Sequence, residues 1–260
     1  MSPGAKRPGR RAAGRAARET TRAATGSGAP ARGAAKRARG TAALPADSVA
    51  ARQRRAVQIL AELDRAYPDA TLELIFSNPL ELLVATILAA QCTDERVNAV
   101  TADLFKRYRS AEDYARAEPA ALEAAIHSTG FYRAKARSLM SMGRALVERH
   151  GGVVPDSAAA LEALPGVGRK TANVVLGNAF GVPAIAVDTH VFRVSQRLGL
   201  AGSEDADEIH DQLCAVLPRA QWTRATHLLT LHGRRTCLAR RPECGRCAVR
   251  SRCPWPDKTA

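Results

Sequence analysis

The stretch Leu164-Pro165-Gly166-Val167-Gly168-Arg169-Lys170-Thr171-Ala172 constrains this chain of 260 residues more than any other. Pro165-Gly166-Val167-Gly168 reads as a tight hairpin between two helices, because its two glycines supply backbone that can take positive φ. The next helix starts at once, so its first amides lack helical partners and form a ready anion site. Such a hairpin holds a nucleic-acid phosphate without reading sequence. Lys170 falls in the first turn of the second helix, where the positive end of the dipole disfavours an ammonium. An amine held partly neutral there is a candidate nucleophile rather than one more phosphate clamp.

The choice of lysine carries weight. The chain has 39 Lys and Arg residues, yet only Lys6, Lys36, Lys106, Lys135, Lys170 and Lys258 are lysines. A guanidinium does not deprotonate in a protein and cannot attack a carbon centre, whereas an amine can. A surface lysine on an ordinary helix is the commoner explanation of any one Lys. The glycine hairpin, the dipole and Asp188, eighteen residues further on, favour catalysis. Asp188 itself has two readings: a cap for a helix beginning at Thr189, or a carboxylate that assists Lys170.

The formal net charge of +14 points to a polyanionic partner, nucleic acid before membrane. The sequence has no apolar run long enough to span a bilayer. The charge is uneven: residues 1–49 hold eleven Lys/Arg against two acidic residues, Glu19 and Asp47, leaving about +5 for the remainder. That Arg/Ala/Gly/Pro-rich stretch has too little apolar surface to offset its ordering entropy, so it reads as a disordered basic tail. Weak DNA affinity, organellar targeting and solubility are its candidate roles. The chain lacks a secretory apolar region, so the reducing cytoplasm, in association with the nucleoid, is the expected compartment.

From Ala50 onward the pattern is helical, and with aromatics at only 4% the packing falls to Ala and Leu. Val57, Leu60 and Leu63 recur at helical spacing before Pro68. Asn78-Pro79 reads as a cap and first-turn proline for a helix buried on all sides over Leu80–Ala90. Thr93 or Asp94 caps the next helix. Shorter helices are expected near 111–117 and 119–126, then a longer one over 132–149 closed by Gly151-Gly152. Asp156 is expected to cap a short helix running to Leu164. Helices at 169–179, 189–198, 204–217 and 221–233 complete an all-α chain, with Val182–Val187 too short and too interrupted for a sheet.

Cys237, Cys244, Cys247 and Cys253, spaced C-x6-C-x2-C-x5-C, argue for a bound metal rather than disulfides in a reducing compartment. Zinc in tetrahedral sulfur and an iron–sulfur cube both fit, and a single C-x2-C pair leans toward iron–sulfur. Cys92 and Cys214 read as small core residues. Arg234, Arg235, Arg240, Arg241, Arg246, Arg250 and Arg252 crowd this loop. Their mutual repulsion calls for an anion, either a cluster or a phosphate backbone, unless they simply form a solvated face.

Leu164–Leu176 (LPGVGRKTANVVL), Ala184–Val194 (AIAVDTHVFRV), Ala90–Asp94 (AQCTD), Gly130–Ala136 (GFYRAKA) and the cysteine loop together resemble the endonuclease III family of helix–hairpin–helix DNA glycosylase/AP lyases. The resemblance covers about residues 50–258. It implies a two-domain, all-α fold: a six-helix barrel over 72–182, and an iron–sulfur domain from 50–71 plus 183–260, with the cleft between them. By motif position it implies Lys170 as Schiff-base nucleophile, Asp188 as its assisting carboxylate, and the four cysteines as ligands of one 4Fe-4S cluster. Gln91 would fill the gap left by an extruded base. Phe131 stands where relatives often carry an apolar wedge such as leucine. Gly166 and Gly168 would grip phosphate, with Arg169 and His190 as further DNA contacts. The implied partner is double-stranded DNA with damaged pyrimidines or abasic sites, bound by a monomer away from any membrane. The adenine-specific relatives use a glutamate on the helix before the glutamine, and Leu82–Ala90 has no carboxylate. A non-catalytic DNA-binding protein and a glycosylase that does not cut the strand remain as rivals.

Overall fold

The computed structural model describes residues 47–259. The basic tail expected over 1–49 lies outside them except for its last three residues, and helix α1 already starts at Val49. Eleven α-helices follow one another among the described residues. They are α1 (Val49–Ala66), α2 (Pro79–Leu88), α3 (Asp94–Arg107), α4 (Ala111–Ala115), α5 (Pro119–Ile126), α6 (Tyr132–His150), α7 (Ala158–Glu162), α8 (Arg169–Ala179), α9 (Thr189–Arg197), α10 (Ala206–Val216) and α11 (Trp222–Arg235). Short 3₁₀ turns join some of them, and the described residues contain no strand. No helix among them is long and apolar enough to cross a membrane.

Local chemistry sets most helix starts. Asn78 accepts the Glu81 amide at 3.0 Å while Pro79 occupies the first helical position, where a missing N–H costs nothing. Thr93, not Asp94, caps α3 by accepting the Arg96 amide at 3.3 Å. Ser157, rather than the expected Asp156, caps α7 through the Ala160 amide at 3.4 Å. Gly151 closes α6 in the left-handed region, a conformation that glycine adopts without a Cβ penalty.

Two hydrophobic cores form. The first is enclosed by α2–α8 and has α2 at its centre: every residue from Leu82 to Leu88 is buried. Each large aliphatic side chain buried there contributes about 2 kcal/mol relative to exposure. The second core packs Ile59, Leu60 and Leu63 of α1 against α9, α10 and α11. In α1 the buried stripe runs through Ala56 and Ile59, and Val57 is exposed instead.

The extended segment 182–187 is the seam between the cores. Val182, Ala184 and Ala186 face the first core, and Ile185 and Val187 face the second. This is the two-residue alternation of an extended chain, here serving two cores rather than a sheet face and solvent.

Candidate active site between the two cores

The hairpin after α7 is held by the Val167 amide donating to Leu164 O at 3.1 Å. Gly166 sits at φ +79, and a Cβ there would stand 2.8 Å from the Ser138 Cβ of α6. Conformation and packing both require glycine at that position. Gly168 differs from the expectation of positive φ at both glycines. Its φ is −101, and a Cβ there would meet no atom within 4 Å. It is the N-cap of α8 and has no side chain to cap with, so no side chain accepts from the first-turn amides.

Arg169, the first residue of α8, is engaged elsewhere. Its guanidinium lies 2.9 Å from Asp211 and 3.3 Å from Asp207, both on α10. Burial works against its charge, but hydrogen bonds and charge from the two aspartates outweigh that and raise its pKa. The Arg169 side chain, expected as a DNA contact, is paired with these aspartates here.

Lys170 follows, exposed at the mouth of a solvent-open cleft of about 740 Å³ that it lines together with Asp188. Asn173, Val174 and Asn178 of α8 line the same cleft, as the three- and four-residue steps of a helix face dictate. Part of its wall is the seam segment. An extended chain with no neighbouring strand must find other hydrogen-bond partners, and side chains supply them. Asn173 Nδ2 donates to Ile185 O at 2.9 Å, and Thr226 Oγ1 accepts the Ala186 amide at 3.2 Å. Gly177 lets α8 approach α11 closely, since a Cβ there would stand 2.7 Å from Thr223 Oγ1.

The seam delivers the chain to Asp188, the N-cap of α9. Asp188 Oδ1 accepts the His190 and Val191 amides at 2.8 and 2.7 Å, and Oδ2 accepts the Thr230 hydroxyl at 3.3 Å. The capping reading of Asp188 therefore holds, and Asp188 also lines the cleft that Lys170 lines. His190 is placed differently. Its ring packs on Gly233 of α11, where a Cβ would come within 2.9 Å of its own, and its Nδ1 lies 3.2 Å from Arg193. It is not among the cleft-lining residues.

Gln91 and Phe131 are the two non-glycine residues with positive φ among those described, at 53° and 49°. Both are exposed, Phe131 to 67%. A left-handed backbone at a bulky residue stores strain of about 1–3 kcal/mol and persists where the surroundings impose it.

The four cysteines line one pocket of about 320 Å³ with Arg197, His232 and Trp255, and all are free thiols. Among the described residues, no three His, Cys, Asp or Glu side chains converge tightly enough to hold a single ion. Burial pushes the Cys247 and Cys253 thiols up. Arginines one turn apart on α9 hold the first cysteine loop. Arg193 donates to Cys237 O at 3.2 Å, and Arg197 donates to Leu238 O at 2.8 Å and to Ala239 O at 2.9 Å. The helix that begins with Asp188 thus ends by bracing the cysteine loop.

Sequence reasoning missed Arg193 and Arg197 and read Arg234 only as one of the crowded arginines; the partners of all three lie far along the chain. Arg234 binds Glu73 at 2.5 Å and Asp94 at 2.6 Å, tying α11 to the start of α3 across the cleft. The expected crowding of cations around the cysteines is relieved largely by carboxylates. Arg235 pairs with Asp69, Arg246 with Glu243 and Arg252 with Glu62. Arg240 and Arg241 are exposed and have no partner among the described residues.

The family model described as HhH-GPD superfamily base excision DNA repair protein matches residues 84–219. Endonuclease III of Synechocystis sp. is 47% identical over 207 residues, 79% of this chain and 94% of that relative. Endonuclease III of Escherichia coli (strain K12) is 44% identical over 202 residues, 78% of this chain and 96% of that one. The solved structure of a trapped endonuclease III–DNA covalent intermediate has a TM-score of 0.75 to this fold at 44% identity, over 78% of this chain and 95% of that one. With a lysine and an aspartate lining one cleft after a glycine hairpin, and with these matches in sequence and fold, the chain belongs to the endonuclease III family of the HhH-GPD superfamily.

Proposed function

We propose that the chain is a base-excision DNA glycosylase and abasic-site lyase that removes oxidised pyrimidines from duplex DNA. The observation that carries this is the presence of Lys170 and Asp188 in one cleft, with Lys170 at the start of α8, where no side chain caps the first-turn amides. A base stacked in a duplex is out of reach, so the damaged nucleotide is rotated out, at a cost of about a few kcal/mol that damage lowers. The amides around Gly166 and Gly168 take the backbone phosphate, while Gln91 and Phe131 occupy the vacated stack.

The Lys170 amine in its neutral form then attacks C1′ as the bond from C1′ to the base breaks, and the base leaves with a proton. Opening of the sugar ring gives an iminium. Loss of a C2′ proton expels the 3′ phosphate and cuts the strand. The Asp188 carboxylate stabilises positive charge developing on the sugar and shuttles protons around Lys170.

The four thiols suit a 4Fe-4S cluster, since a cubane takes one cysteine sulfur at each of its four irons and all four cysteines line one pocket. When bound, such a cluster supplies the cross-links that order a loop with only short 3₁₀ turns. Arg240 and Arg241 then face phosphate. The enzyme acts as a monomer in the reducing cytoplasm, where the cysteines outside the cluster stay reduced.

Borohydride trapping on a thymine glycol duplex tests the reading. The wild-type protein is expected to form a covalent adduct, whereas Lys170→Gln binds the duplex and forms none. An adduct that survives Lys170→Gln, or wild-type protein that traps no lesion, overturns it.

A further inference from the structure

Lys135 has no part in the chemistry above, yet its placement is unusual for a lysine. It is 6% exposed, and no acidic side chain pairs with it among the described residues. Its Nζ donates to Leu88 O and to Thr129 O, each at 2.8 Å. Leu88 is the last residue of α2, three positions before Gln91; Thr129 closes the 3₁₀ turn two positions before Phe131. One buried amine therefore joins the roots of two loops that each present an exposed residue in a strained backbone conformation.

The surroundings place the Gln91 loop at the edge of the cleft and tie the helix that follows Phe131 to the hairpin. Ala89 and Asp94, on either side of Gln91, line the cleft, and Gly166 of the hairpin packs on Ser138, one turn beyond Lys135 on α6. Burial lowers the pKa of Lys135, with charge from Cys92 acting the other way. An apolar side chain would fill the same volume without desolvating an amine, so packing alone does not account for lysine here. What an apolar side chain cannot do is donate to two carbonyls on two different segments.

We propose that Lys135 is a positioning residue that fixes the spacing of the Gln91 and Phe131 loops, so that both side chains enter the DNA stack as one unit. This rests on the glycosylase reading of the cleft. The requirement applies to a base-paired lesion and vanishes on a single-stranded abasic site, which has no stack to fill.

Single-turnover cleavage by Lys135→Met is therefore compared on a thymine glycol duplex and on a single-stranded abasic oligonucleotide. A displacement of the loops by about 1 Å is expected to slow the duplex reaction about a hundredfold, while the single-stranded reaction stays near the wild-type rate. A Gln91→Ala/Phe131→Ala protein should show the same split, and adding Lys135→Met to it should change nothing further. Equal loss on both substrates, or an independent loss in the Gln91→Ala/Phe131→Ala background, overturns the proposal. If Lys135→Met does not fold, Lys135→Gln, which keeps amide donors, is measured in the same way; failure of both to fold assigns Lys135 to the core and refutes a positioning role. Wild-type protein inactive on both substrates would remove the glycosylase reading itself.

Discussion

Asp188 combines two tasks that substitution can separate. Its Oδ1 carries both cap hydrogen bonds to α9, at 2.8 and 2.7 Å, and its Oδ2 takes the Thr230 hydroxyl. In Asp188→Asn the amide oxygen keeps the two cap bonds, and the Thr230 hydroxyl rotates to accept from the new NH₂. What is lost is the charge at the positive end of a helix, about 0.5 kcal/mol. At roughly 2–4 °C per kcal/mol for a fold of this size, that lowers the melting temperature by about 1–2 °C. Asp188→Ala loses the cap, about 1 kcal/mol, and the Thr230 bond, about another 1 kcal/mol, for a drop of about 4–8 °C. Both variants remove the carboxylate from the cleft, so both should slow single-turnover base release by about 10²–10⁴-fold. Melting followed by circular dichroism and base release from a thymine glycol duplex are measured on the same preparations. Base release within threefold of wild type in Asp188→Asn would reduce Asp188 to a cap. Equal melting temperatures for the two variants would refute the capping arithmetic.

The hairpin glycines should separate in the same manner. Gly166→Ala meets both the left-handed penalty and the Ser138 side chain and is expected to lose about 3 kcal/mol by denaturant unfolding; Gly168→Ala should lose under about 1 kcal/mol yet weaken abasic-duplex binding in a filter assay. His227 titrates below its ordinary value because it is partly buried, with Arg224 adding to the effect. The unfolded chain therefore binds the extra proton first, and stability falls as the pH drops below about 6.5 toward the folded value. His227→Gln should flatten that slope between pH 7.5 and 5.5 in urea titrations. Arg240→Ala/Arg241→Ala should lower the slope of log affinity against log salt by about 0.9 for each phosphate that is no longer neutralised, leaving borohydride trapping at saturating protein unchanged.

What could be read from the sequence was local. The Val167–Leu164 turn of the hairpin, the Asn78-Pro79 start of α2 and the cap bonds from Asp188 to α9 all work through partners within four residues, so residue type and spacing alone locate them. The position of Lys170 in the first turn of α8 follows from the same logic. The cysteine spacing announced a metal site but left zinc and iron–sulfur open, because ligand order does not encode how far apart four sulfurs end up.

Only the tertiary structure decided which charges are spent. Arg169 meets Asp211 from 42 residues away and Arg234 meets Asp94 from 140, and no spacing rule chooses those partners. The left-handed backbone of Gln91 and Phe131, and the lysine buried behind them with its acceptor 47 residues distant, likewise depend on how α2 and α6 pack. Short-range hydrogen bonding and sterics are written residue by residue, whereas the pairing of distant groups is settled by the path of the chain between them.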